Sequence, residues 1–180
     1  MNKRFSIGVF QCFTHKQVKE INKKIKENIL QKQDPSDASS TASKVGEFFN
    51  VPCLPLMKLL HPWLYQCQQV NRDVYGYDIN WDFHLDGFNY NVYGVEGEYE
   101  WHIDANPTQT PTDTKLTCLL NLSEETYEGG EFYAIHSNEK AQFDSGMGLI
   151  ITSLIAHRVT PVTKGERITL TYFSKGPLWR

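Results

Sequence analysis

Apolar residues recur at helical spacing early in the chain and at strand spacing over its last hundred residues, and the change comes near Tyr75. Val18, Ile21, Ile25 and Ile29 share one face of a helix predicted over 14–33, with Thr14 as its N-cap. Lys16, Lys19, Lys23, Lys24 and Lys26, mixed with Glu20 and Glu27, mark the opposite face as solvated surface. Residues 34–44 (DPSDASSTASK) form a loop by composition. A second helical pattern covers 56–74, with Leu60, Leu64, Cys67 and Val70 near one face. Pro62 suits that helix only near its start or as a kink.

Beyond Tyr75, short β-branched and aromatic runs lie at 88–93, 99–104, 115–122, 131–136, 149–152, 155–160 and 167–174. Turn signals separate them, among them Gly94, Gly97, Gly129-Gly130, Gly146 and Lys164-Gly165. So many short strands predict a sandwich or barrel. No internal repeat is visible. The expected architecture is one domain over 1–180, mainly β with N-terminal helices (α+β). In it, residues 1–75 are a helical support and 76–180 the β core.

Composition adds mostly exclusions. A net charge of −3 predicts neither a nucleic-acid footprint nor attraction to anionic membranes. No apolar stretch has a membrane-spanning length, and the N-terminus lacks the apolar run of a signal peptide. Cys12, Cys53, Cys67 and Cys118 form no C-x-x-C pair, so free thiols in a reduced, cytoplasmic setting are expected.

Chemistry concentrates at the end of the 99–104 run. Side chains alternate along a strand, so His102 and Asp104 share a face. His157 lies on a later strand. If it meets the same cavity, the three make a 2-His-1-carboxylate triad that leaves coordination positions open. H-x-D is weak evidence by itself. Arg167 adds weight, because it stands ten residues beyond His157 on the next strand, with Thr169, Thr171 and Phe173 on its side. A guanidinium in a core needs an anion, and none is near in sequence. A dicarboxylate would supply one through paired hydrogen bonds.

The order H-x-D, Glu128-Gly-Gly-Glu131, Gly148-Leu-Ile-Ile, His157-Arg-Val-Thr-Pro-Val and Gly165-Glu-Arg167 resembles the prolyl-4-hydroxylase-type 2-oxoglutarate/iron dioxygenases, over about 77–176. The resemblance implies a double-stranded β-helix, a cupin-like jelly roll with the metal at its mouth. It implies Fe(II) on His102, Asp104 and His157, and 2-oxoglutarate as co-substrate on Arg167. Tyr93 and Thr169 would assist, and Asn121 stands where some relatives place a second tyrosine. Molecular oxygen and a peptide, protein or small-molecule substrate complete the set, with ascorbate as reductant. The implied reaction hydroxylates an unactivated C–H bond, most naturally of a prolyl residue, and releases succinate and CO2. Asp104 argues against halogenation, since related halogenases lack that carboxylate.

Two other classes stay open at this point: a non-catalytic metal- or 2-oxoacid-binding jelly roll, and a zinc hydrolase with Glu100 as base. A non-catalytic module needs neither an open metal site nor a carboxylate clamp, and zinc hydrolysis gives Arg167 no purpose. His136 ends a strand and suits a hairpin surface, while His15, His61 and His84 have no partner at ligand spacing. Trp81, Tyr99 and Trp101 are candidates for a substrate groove or for core. The polar loop 105–114 follows two metal-ligand candidates directly and suits a substrate contact.

Overall fold

The structure is a computed structural model that describes residues 7–34, 42–80, 87–105, 113–135 and 140–179. Helix α1 (His15–Lys26) starts where expected. The Thr14 hydroxyl accepts from the Gln17 backbone, and the Gln17 side chain accepts from the Thr14 N–H at 2.9 Å. It ends earlier than its periodicity predicts. Asn28 places its amide on the Lys24 carbonyl at 2.8 Å, which takes up one of the helix's terminal acceptors. Residues Gln31–Gln33 then turn into a strand. Helix α2 (Met57–Val70) carries Pro62 inside it, entered by a 3-10 turn at Leu54–Leu56 and left by a π turn at Asn71–Tyr75.

The strands are β1 (Gly8–Gln11), β2 (Gln31–Gln33), β3 (Lys44–Val45), β4 (Glu47–Pro52), β5 (Gly87–Tyr93), β6 (Glu98–His102) and β7 (Asp113–Asn121). They continue as β8 (Glu128–Gly129), β9 (Phe132–Ala134), β10 (Met147–Thr152), β11 (His157–Val159), β12 (Val162–Lys164) and β13 (Arg167–Gly176). A major sheet runs β1-β10-β7-β13-β5-β4-β2, a minor sheet runs β3-β6-β11-β9, and β12-β8 is a short ribbon. Every pairing is antiparallel.

Alternation on β7 sorts the interior into two compartments. Leu116, Cys118 and Leu120 point to the helices, where they join Val18, Ile21, Ile25, Leu60, Trp63 and Cys67. Leu119 points the other way and meets Phe132, Ala134 and Val159 of the minor sheet. The two sheets thus face each other as a jelly roll, and the helices back the major sheet. The first 75 residues differ from the helical support expected of them, for they also supply β1, β2, β3 and β4. Strand β4 pairs with β5 from Glu47↔Val92 to Pro52↔Gly87, and β1 closes the edge at β10. Such short runs take their strand character from the partner strand, which no local pattern announces.

Candidate metal centre

β6 and β11 are neighbours, and His157 stands directly opposite His102, with ring centroids 4.2 Å apart. Asp104 lies just past β6, its backbone N–H bonded to the Ser153 carbonyl at 3.1 Å. Asp104 Oδ1 is 3.5 Å from His102 Nε2, and Oδ2 is 3.3 Å from His157 Nε2. One donor atom from each residue falls within 4.8 Å of the others, and the described residues hold no other such group of three.

Backbone carbonyls orient both rings. His102 Nδ1 lies 2.7 Å from the Glu100 carbonyl and His157 Nδ1 lies 2.9 Å from that of Ile155. A carbonyl only accepts, so each Nδ1 carries a proton and Nε2 is the nitrogen turned to the centre. Burial pushes the His157 pKa down, against the pull of Asp104, which favours the neutral ring a metal needs. Burial works against ionised Asp104, but His157, His102 and the Thr117 hydroxyl together hold its pKa below the usual carboxylate value. Thr117 donates to Oδ2 at 2.5 Å from β7, a contact that no sequence spacing announces.

The register between β6 and β11 slips after the histidine pair, since Val159 faces Tyr99. This bulge puts two residues of β6, Glu100 and Trp101, against one of β11, Arg158, so Tyr99 and His102 both turn inward. Their rings stack at 3.4 Å. Trp101 turns outward, 44% exposed and against Arg158. Glu100 is exposed, and its carboxylate accepts from the Ser43 N–H at 3.0 Å.

A cavity leads from the triad along β5 and β13, lined on that side by Asn91, Tyr93, Arg167, Thr169 and Thr171. Arg167 is 2% exposed, faces Tyr93 in register, and has the rings of Tyr93 and Phe143 at 5.4 and 5.8 Å. Among the described residues no carboxylate lies within 4.0 Å of it, and its Nε has no partner. Burial raises the Tyr93 pKa against the pull of Arg167, so the phenol stays a donor. Thr169 opens onto the cavity and accepts from Asn91 Nδ2 at 3.3 Å.

His102, Asp104, His157, Arg167, Tyr93 and Thr169 therefore converge on one cavity. Asn121 does not line it. Its amide donates to the Phe143 carbonyl at 2.6 Å and Tyr127 Oη at 3.2 Å, and its oxygen accepts from the Ser123 N–H at 2.9 Å. Spacing also missed Thr117 and Lys44, which strand pairing brings to the cavity, and Phe143, whose ring lies against Arg167. His15 and His61 are on the surface, while Trp81, His84, His136 and residues 106–112 lie outside the described residues. All four cysteines are free, and no described helix is long and apolar enough to cross a membrane.

Comparison with known proteins agrees with this geometry. A PKHD-type hydroxylase of Alteromonas mediterranea is 39% identical over 64 residues, which is 34% of this chain and only 28% of that protein's length. A viral collagen prolyl hydroxylase from Paramecium Bursaria Chlorella virus-1, solved with 2OG, superposes with a TM-score of 0.71 at 13% identity, over 94% of this chain and 96% of that one. A Trichoplax adhaerens prolyl hydroxylase, solved with a hypoxia inducible factor peptide fragment, gives 0.67 at 15% identity, over 93% and 82%. Such low identities establish the shared fold. Residues 88–175 match the family model of the 2OG-Fe(II) oxygenase superfamily.

Proposed function

We propose that the protein is an Fe(II)- and 2-oxoglutarate-dependent hydroxylase of unactivated C–H bonds, with a prolyl residue of a peptide or protein as target. The observation that carries this is the pairing of an open triad with the buried, unpaired cation Arg167 in one cavity. Two imidazoles and a carboxylate suit ferrous iron, and a lone buried guanidinium suits the far carboxylate of a dicarboxylate.

When bound, iron with 2-oxoglutarate and oxygen supplies the oxidative decarboxylation to succinate and CO2 and the hydroxylation of the target. Each ring N–H bond to a carbonyl turns its Nε2 inward, where His102 and His157 would hold the metal with Asp104. Thr117 keeps Asp104 ionised and turned inward. Arg167 fixes the co-substrate's orientation with a two-point grip, and Tyr93 and Thr169 add hydroxyls beside it. Burial of the whole row excludes water that would compete for the open positions. Ascorbate, oxygen and a reducing cytoplasmic setting fit this chemistry, and the free thiols suit the last.

The prolyl target rests on the viral and Trichoplax hydroxylases that share the fold. A zinc hydrolase would need a base, and Glu100 is engaged with Ser43 outside the cavity. Anaerobic addition of Fe(II) and 2-oxoglutarate is expected to give a visible charge-transfer band. With oxygen, succinate should form and proline-rich peptides should gain about sixteen daltons. A protein without the band is not such an enzyme, and succinate release without peptide oxidation removes the prolyl target alone.

A further inference from the structure

We propose that Lys44 is a second carboxylate-binding residue of the cavity, serving the metal side that Arg167 does not reach. The proposal rests on the dioxygenase function proposed above. Lys44 opens β3 and pairs with Tyr99 of β6. Its Nζ sits 3.7 Å from the Phe48 ring centre and 5.0 Å from that of Tyr99, which stacks on His102. It lines the same cavity as the triad and Arg167.

Among the described residues no carboxylate lies within 4.0 Å of this ammonium and no hydrogen bond reaches it. Aromatic faces offset only part of the water it has lost. Burial accordingly pushes its pKa down to about 8, against the pull of Asp104. Its place is built into the fold. Ser43 N–H donates to the Glu100 carboxylate and Glu100 N–H donates to the Ser43 carbonyl, both at 3.0 Å, which clamps the backbone beside Lys44 to β6.

Arg167 lies at the other end of the row. It opens β13, while the metal end is marked by Phe173, which pairs with Thr117, the residue that holds Asp104. Charge also leaves room for another anion. Arg167, Lys44 and a divalent metal carry four positive charges, whereas Asp104 and a dianionic co-substrate carry three negative ones. Two carboxylates can meet Lys44: the co-substrate's own metal-side carboxylate, or one on the target next to the hydroxylated carbon.

The test uses the Fe(II)-loaded full chain, anaerobically, as wild type, K44Q and K44R, with thermal melts to confirm folding. In the first arm 2-oxoglutarate is titrated and the charge-transfer band gives its affinity. In the second, N-acetyl-L-proline and its primary amide are compared by their perturbation of that band at saturating 2-oxoglutarate. Affinity about tenfold or more weaker in K44Q, restored in K44R, assigns the carboxylate to the co-substrate. Unchanged co-substrate affinity, with a wild-type preference for the acid over the amide that K44Q loses, assigns it to the target. Equal behaviour of folded K44Q and wild type in both arms overturns the proposal. No band in the wild type overturns instead the dioxygenase function on which it rests.

Discussion

Gly130 governs Arg167 more directly than its turn suggests. It sits at φ +60°, and a Cβ there would come within 2.8 Å of Arg167 Cδ and 3.0 Å of Val162 Cγ2. Gly130→Ala therefore strains the turn and displaces the guanidinium. Calorimetry should show 2-oxoglutarate affinity about tenfold weaker or worse while metal affinity is retained; unchanged co-substrate affinity would free Arg167 from this constraint. Lys44 yields a second prediction, with a definite sign. Its folded pKa of about 8 lies below the ordinary 10.5, so its charge opposes folding at neutral pH. Between pH 8 and 10.5 the unfolded chain holds a proton that the folded chain has lost, so stability rises with pH there. In urea titrations the metal-free wild type should gain on K44Q across that window by about 1–3 kcal/mol. At this scale the convergence of the candidate ligand and anchor residues on one cavity was legible, because His102, Asp104, His157 and Arg167 are residue types with few bland uses inside a β core. Thr117 and Lys44 were not, because a threonine and a lysine become site residues only through strand partners far away in sequence, and Phe143 reaches Arg167 from a segment outside the strands.

Among the elements, β6 carries the most information per residue. Simple alternation would put Tyr99 and His102 on opposite faces, and the bulge against β11 brings both inward. A bulge leaves no periodic trace, so the strand could be read from sequence while the Tyr99–His102 stack could not. Strands β5, β7, β10 and β13 were legible as β-branched, aromatic and aliphatic runs bounded by turn signals; β1, β2 and β3 were too short, and β4 depends on its partner β5. Helix α1 was half legible. Its apolar face was plain, but its docking also relies on a buried polar residue. Asn22 donates to the Leu122 carbonyl at 2.8 Å and to Glu124 at 2.9 Å, and accepts from Tyr90 Oη at 3.2 Å. Asn22→Ala strands the Tyr90 hydroxyl and the Leu122 carbonyl in the core. It should cost about 1–3 kcal/mol in chemical denaturation while leaving the charge-transfer band in place. Loss of the band without loss of stability would mean that α1 acts on the site rather than on the fold.

Across the whole molecule, contacts tie the first third of the chain to the rest. β1 pairs with β10, β4 with β5, and Asn22 of α1 reaches Leu122. A division near residue 75 therefore separates two sequence patterns, and we propose that both halves fold as one unit. The triad joins β6, β11 and the turn after β6, while Arg167 enters from the major sheet, so metal and co-substrate, bound as proposed, would together bridge both sheets. Ligands that bind only the folded state stabilise it by mass action. Calorimetry should thus give one unfolding transition, with the midpoint raised by Fe(II) under anaerobic conditions and raised again by 2-oxoglutarate. At a hundredfold excess over its dissociation constant, each ligand adds about 2.7 kcal/mol. His157→Ala should abolish the metal increment and with it the metal-dependent part of the second. Arg167→Leu should keep the first increment and lose most of the second, because its metal ligands are intact and its carboxylate grip is gone. Two separate transitions, with only the later one responding to metal, would show instead that the N-terminal strands and helices unfold independently of the site.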